Sequence, residues 1–478
     1  MTASVMDEAP ATSGTRQTAQ MPLYRKVTYA FTDLSGNLLY CIISGYALYY
    51  FTEVYGLSIA TAGAILLAAR IIDAVDAPVW GFIIDHTRSR WGQSRPWFLW
   101  MAIPFPLTVW LLFTTPPIDG TGKAVYAAVV YILAGITYTG MSTPITSVLP
   151  NLTSNLQERT VANSFRMVGG NVGNFLAVTF VLPLVTFFGG SPTSQSGWSL
   201  TVGLYAIVAF VLLVVAFATM REKNVERATS ISVRDSVRAA RGNWPWVLLV
   251  VANVLFWVGL TARTTALPFY FQYNQGSTAA IALFNGVSIV QVAGMASVPL
   301  LVKRLGKYGS TILGFALAIV GQVGLALFAG DDVLLMASWV VACLGSGTAC
   351  ALFFAMVADT VDYGEWRNGV RAAGFLTAIG SSFCIKMGAG LGAFLPSVIM
   401  GAGGYVADQP QSATALAAIQ FSFAWLPALA FALGIVPMLV YRRFERNEPV
   451  VLAALAERAE QPAPPADGTA PTSPETHR

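Results

Sequence analysis

The chain is predicted to be an all-α integral membrane protein with twelve transmembrane helices in two six-helix bundles, and three observations lead there. Only 11% of its 478 residues are charged and 55% are hydrophobic, against roughly 25% charged in an ordinary soluble domain. The apolar residues fall in blocks of about twenty, the length that crosses a hydrocarbon core roughly 30 Å thick. Lysine and arginine gather in alternate loops, which is how loops retained on the cytoplasmic side are marked.

Apolar runs between breaks place the first six spans near 28–52, 58–84, 98–115, 124–149, 162–189 and 198–219. Six more lie near 245–271, 279–302, 309–329, 333–357, 372–401 and 415–441. Between the two sets runs a polar stretch with Arg221, Lys223, Arg227, Arg234, Arg238 and Arg241. The expected organisation is a cytoplasmic segment 1–27, an N-terminal bundle 28–220, a cytoplasmic linker 221–243, a C-terminal bundle 244–441 and a mostly disordered cytoplasmic tail 442–478.

Arg88, Arg90 and Arg95 follow span two, Arg159 follows span four, and Lys303, Arg304 and Lys307 follow span eight. Arg367 and Arg371 follow span ten, and Arg442, Arg443 and Arg446 follow span twelve, whereas the opposite loops contribute only Lys123. Both termini are therefore expected in the cytoplasm of a bacterium, with the chain crossing its inner membrane many times. The first twenty residues lack the basic and apolar blocks of a cleaved signal, so span one is expected to be its own targeting segment. Val148 to Thr153 after span four is echoed by Met356 to Val361 after span ten. Parallel halves related by an axis along the membrane normal produce such an echo, with the solute site between them near mid-depth.

Several classes are excluded. The net charge of +4 is spread over short loops, which argues against a nucleic-acid partner. With only His86 and His477, neither a histidine metal centre nor a catalytic triad is expected, and the chain is not read as an enzyme. Cys41, Cys343, Cys350 and Cys384 all lie in apolar spans and form no disulfide framework. No cofactor is expected beyond a coupling cation. The partners are the lipid bilayer and a small solute; a monomer suffices, and the oligomeric state stays open.

An ionisable side chain at the centre of a lone transmembrane helix costs roughly 2.5 to 3.5 kcal/mol, so those kept at depth mark a polar cavity or a partner. They are Asp33 on span one, Arg70, Asp73 and Asp76 on span two, Arg263 on span seven and Lys386 on span eleven. A spacing of three puts neighbouring members of the span-two trio on nearly one face. One arginine cannot neutralise two carboxylates. The surplus, with Asp33 and the Thr139 hydroxyl, suits a small cation held by oxygens or a proton on a carboxylate. A structural salt-bridge cluster is the plainer reading of the trio, and a packing anchor that neutralises an acid across the cavity is the plainer reading of Lys386. Gly169, Gly170 and Gly173 on span five and Gly388, Gly390 and Gly392 on span eleven permit close helix approach.

Longer motifs carry a resemblance. Tyr29 to Leu38 contains Asp33 and Asn37; Arg70 to Pro78 runs into Gly81 to Trp97; and Val357-Ala-Asp359-Thr-Val-Asp362-Tyr-Gly-Glu365 lies in the second half. From about residue 25 to 445 the chain resembles the glycoside-pentoside-hexuronide:cation symporters, the melibiose permease family of the major facilitator superfamily. The resemblance implies a major facilitator fold and sugar:cation symport. It makes Asp73 a cation ligand and Thr139 a hydroxyl of the coupling site; Asp76, which stands in place of an asparagine of melibiose permease, is read from its charge as completing that site, and both aspartates are metal ligands only if the ion is sodium or lithium rather than a proton. Asp33, Tyr138, Ser142, Thr146, Arg166 and Lys386 become substrate-side residues. Arg70, Asp85, Arg88, Asp359 and Asp362 become gating or structural residues.

Departures bear on the substrate. Ala77 stands where melibiose permease has a second cation-binding aspartate, and Ser142 and Thr146 stand where that family grips galactosides with an aspartate and a tryptophan. A solute other than melibiose is therefore expected, and Arg166, Arg263 and Lys386 make a hexuronide worth testing. The alternative function is export of drugs or amphipathic lipids on the same fold.

Overall fold

In a computed structural model of the chain, the described residues are 21–153, 155–222, 238, 240–369 and 373–460. They are helical apart from turns and one isolated bridge between Ser89 and Gly92. Numbered by rod, α1 is Leu23–Tyr49, α2 is Ile59–His86, and α3 is broken into Arg95–Trp100 and Pro104–Leu112. The N-terminal bundle closes with α4 (Thr121–Leu152), α5 (Leu156–Gly189) and α6 (Gln195–Thr219). In the second bundle α7 is Trp244–Phe269, and α8 is Thr278–Val287 with its continuation 290–305. Gly306, at φ 72° and ψ 177°, turns that helix into α9, 307–327. α10 is Asp332–Asn368; α11 joins Ala373–Thr377 and Cys384–Ala402 through a π-turn; α12 joins Ala413–Gln420 and Leu426–Glu460 in the same way.

Among the described residues, eight helical stretches are long and apolar enough to cross a membrane, and one of them, Thr278–Leu327, holds both α8 and α9. The first three rods fall outside that set for chemical reasons. α1 is rich in tyrosine and threonine, α2 carries Arg70, Asp73 and Asp76, and α3 is interrupted where Pro104 and Pro106 remove backbone donors. Caps start many rods: the side chains of Ser58, Asn155, Ser194, Asn243, Asp331 and Ser412 each accept a backbone N–H from the first turn.

Several helices outrun the expected spans. α10 continues to Asn368 and α12 to Glu460, because their Ala, Glu and Arg residues sustain a helix past the lipid where hydropathy has already fallen. Residues 223–237 of the expected linker, Arg371, and residues 461–478 of the expected tail lie outside the described residues. On the inner side, the Glu222 carboxylate accepts the backbone N–H groups of Gln93, Ser94 and Arg95 at 2.9, 2.8 and 2.5 Å, capping the start of α3.

One continuous apolar core joins both bundles at the end away from the basic loops, called outer below. It includes Tyr49, Phe51 and Trp198 from one bundle and Phe269, Phe271, Trp339 and Phe423 from the other. The inner half of the second bundle packs on a separate core around Phe256, Phe315, Phe353 and Phe431. The two bundles thus share hydrophobic packing at one end only, which leaves their mid-depth faces free to hold polar groups.

Candidate substrate and cation site

Close packing sets the walls. A Cβ on Gly169 or Gly173 would lie 2.4 and 2.5 Å from the backbone oxygens of Ala30 and Leu34, so these glycines let α5 lie directly on α1. That contact brings Arg166 of α5 to Asp33 of α1, with Nη1 3.6 Å from Oδ2. Arg166 Nε also donates to Asn163 at 2.9 Å, and Asn37 Nδ2 donates to the Asp33 carbonyl at 2.9 Å. Both members of the pair keep about a fifth of their side-chain surface accessible.

The span-two cluster lies beside this pair. Arg70 is buried and donates from Nη1 to the Tyr40 hydroxyl at 2.8 Å and to Asp73 Oδ2 at 3.3 Å. Tyr40 in turn stacks on Tyr138, ring centroids 4.2 Å apart and nearly parallel. Tyr40 therefore links the α2 charges to Tyr138, one of the residues expected on the substrate side. Its signal in the sequence is its spacing: Asp33, Asn37 and Tyr40 share one helical face.

From the other bundle Lys386 of α11 reaches into the same cluster. Its Nζ donates to the Asp73 carbonyl at 2.8 Å, to Asp76 Oδ1 at 3.3 Å and to Thr139 Oγ1 at 3.4 Å. Asp76 Oδ2 is buried without a hydrogen-bond partner. A Cβ on Gly390, one turn along α11, would come within 2.8 Å of Arg70, so α11 approaches α2 as closely as it does only because glycine stands there. Gly388 and Gly392 lie against α7 on the opposite side of α11. The Lys386 ammonium thus lies among the oxygens of Asp73, Asp76 and Thr139, the residues expected from the sequence to form the coupling site.

Other candidates fall elsewhere. Ser142 and Thr146 turn their hydroxyls onto their own helix, to the carbonyls of Thr139 at 3.4 Å and Thr143 at 3.2 Å. Arg263 is buried inside the second bundle, its guanidinium carbon 4.6 Å from the centroid of the Trp339 ring, not in the cluster between the bundles. Asp359 is held by Lys307 at 2.6 Å, which also reaches Glu448 at 3.1 Å, an inner-side network within one bundle. Asp362 is half-buried near it on α10, Arg88 is exposed after α2, and the Asp85 side chain lies outside the described ones.

Two bundles of packed helices with an ion-pair cluster at their mid-depth junction define a major facilitator transporter. Residues 28–443 match the MFS/sugar transport protein family, and the chain belongs to that family. It is similar to an isoprimeverose transporter of Lactiplantibacillus pentosus, 39% identical over 92% of this chain and 93% of the relative. It is 28% identical to the inner membrane symporter YicJ of Escherichia coli over 90% of this chain and 94% of that one. Among solved structures, a D-xylose-proton symporter superposes with a TM-score of 0.67 at 14% identity, covering 87% of this chain and 97% of the other. The chain is accordingly a multi-pass membrane transporter and not an enzyme, and a family of sugar transport proteins supports the exporter alternative less.

Proposed function

We propose that this protein is a sugar:proton symporter that carries a small neutral sugar or glycoside into the cell by alternating access, with both termini in the cytoplasm of a bacterium. The observation that carries the reading is a pair, Asp33 with Arg166, linked through the Tyr40–Tyr138 stack and Arg70 to the Asp73–Asp76–Lys386 cluster between the bundles. A carboxylate and a guanidinium side by side suit a pair of sugar hydroxyls, accepting from one and donating to the other. The Tyr40–Tyr138 stack offers a flat apolar wall for a sugar ring. Each basic group in this region already has an acid: Arg166 has Asp33, Arg70 has Asp73 and Lys386 has Asp76. That balance favours a neutral sugar over a hexuronide, and isoprimeverose, named for the relative at 39% identity, is the first to test.

The same balance favours a proton as the coupling ion. Lys386 fills the oxygen cluster with its own charge, and Ala77 supplies no further oxygen for a metal ion. A proton needs only a lone pair, and among the described residues Asp76 Oδ2 is an unbonded carboxylate oxygen beside Lys386 and Thr139. Protonation there releases Lys386 from its ion pair, which links the α2 charge to the helix that must move. One charge crossing about 100 mV supplies roughly 2.3 kcal/mol, enough for accumulation of a neutral solute on the order of fiftyfold.

Proteoliposomes test the proposal. Isoprimeverose and a panel of glycosides, pentosides and hexuronates are offered in counterflow, then under separate inward proton and sodium gradients. Counterflow of a neutral sugar with uphill uptake driven only by protons is expected. Uptake driven by sodium at constant pH overturns the ion assignment, and the absence of any sugar counterflow overturns the transport reading itself.

A further inference from the structure

Resting on that transport reading, the structure assigns Glu53 as a latch that holds the outer end of the transporter shut. Glu53 ends the first rod in a π-turn, Tyr50–Val54, and is 8% exposed. Its carboxylate accepts from the Tyr273 hydroxyl at 2.7 and 2.8 Å, from the Tyr405 hydroxyl, and from the backbone N–H of Asp408 at 3.2 Å. Each of these donors belongs to the other bundle. Among the described residues no lysine or arginine is bonded to the carboxylate, and the donors that stabilise its negative charge leave when the bundles part there.

The position follows from the repeat. Tyr50-Phe51 and Gly56 recur as Tyr270-Phe271 and Gly276 in the second half, and both stretches end in a five-residue π-turn. Both glycines take a left-handed φ, 76° and 65°. Glu53 and Tyr273 thus hold equivalent positions in the two halves, and they meet where related positions must converge, on the axis between parallel repeats. Neighbouring bonds reinforce them: Tyr49 donates to Gln272 at 2.6 Å and Asn285 to Tyr46 at 2.8 Å.

The loop between α11 and α12 is drawn down onto the same carboxylate. Asp408 is the single non-glycine residue with positive φ among the described ones, at 55°, and its N–H points to Glu53 and Tyr273. When the outer end opens, Glu53 exchanges these donors for water, so the latch can release without stranding a charge. It is a positioning residue: it touches no cargo and sets which end of the transporter is closed.

Spin labels introduced by Asp119→Cys, on an exposed outer loop of the first bundle, and Asp332→Cys, at the exposed outer start of α10 in the second, report the opening by pulsed electron resonance in nanodiscs. Charge-assisted bonds to one carboxylate make the closed state sensitive to its loss, so Glu53→Ala is expected to raise the ratio of long to short outer distances by about tenfold or more. Tyr273→Phe with Tyr405→Phe should shift the ratio in the same direction and serves where Glu53→Ala fails to insert. Asp408→Gly keeps the N–H and should leave the ratio unchanged. Unchanged distances in both the Glu53 and the double tyrosine variants, or an Asp408→Gly shift as large as theirs, overturn the latch. The distance readout requires no substrate, so its failure is separable from failure of sugar counterflow.

Discussion

Arg70 and Arg263 are both buried arginines within membrane-spanning rods, one in each bundle, and their surroundings differ completely. Arg70 faces Asp73 and the Tyr40 hydroxyl, and Lys386 from the opposite bundle reaches the neighbouring acid. Arg263 lies over the Trp339 ring with its Nε and Nη1 unpartnered, and no carboxylate bonds to it among the described residues. The first belongs to a set of charges that can be rearranged by one proton. The second is a fixed cation on an aromatic face, which stabilises it by about one or two kcal/mol, with no acid bonded to it among the described residues. Burial of a charge is therefore a poor guide to function by itself; a partner that can change is the better one.

The largest expected effect comes from taking Arg70's partner away. Asp73→Asn leaves an uncompensated guanidinium, which costs about 3–5 kcal/mol in buried pairs elsewhere. Thermal unfolding in detergent should drop accordingly, and sugar accumulation in proteoliposomes should fall to equilibrium. A variant with wild-type melting and uphill uptake would show that Arg70 needs no counter-charge, and the contrast with Arg263 would disappear.

The opposite result is expected in the other bundle. Arg263→Met keeps much of the side-chain volume while removing a charge that has no acid, and replacement of buried ionic groups by apolar ones is often neutral or stabilising by about 1–4 kcal/mol. Its melting temperature should be unchanged or higher, with sugar counterflow within about twofold of the parent. A loss of counterflow in a variant that still melts normally would move Arg263 into the transport pathway.

How much of this was legible in the sequence follows from what each feature costs. The charges of α2 announce themselves because lipid penalises them, and the rods announce themselves as apolar blocks. Tyr40 does not, since a tyrosine in a helix is unremarkable until its hydroxyl is seen on Arg70. Glu53 is quieter still, because an acid at a span end is inexpensive in water and its worth depends on three donors from residues 273, 405 and 408. The reach of Lys386 to Asp76 depends on the register of α11 against α2, which glycines permit but do not specify. Even the break in α3 was carried by Pro104 and Pro106, residues that hydropathy counts as neutral.

The smallest effect separates this chain from the relatives its motifs resemble. Ser142 and Thr146 stand on α4 where an aspartate and a tryptophan would grip a galactoside, yet both hydroxyls bond to carbonyls of their own helix. Such back-bonds contribute little and bend the helix slightly, so Ser142→Ala and Thr146→Ala should change the KM for the transported sugar by less than about twofold. The recognition of hydroxyls would then rest on Asp33 of α1 and Arg166 of α5, which pair with one another. A KM rise of tenfold in either alanine variant would mean that the hydroxyl rotates from its helix to the sugar on binding, and α4 would regain the part it plays in galactoside recognition.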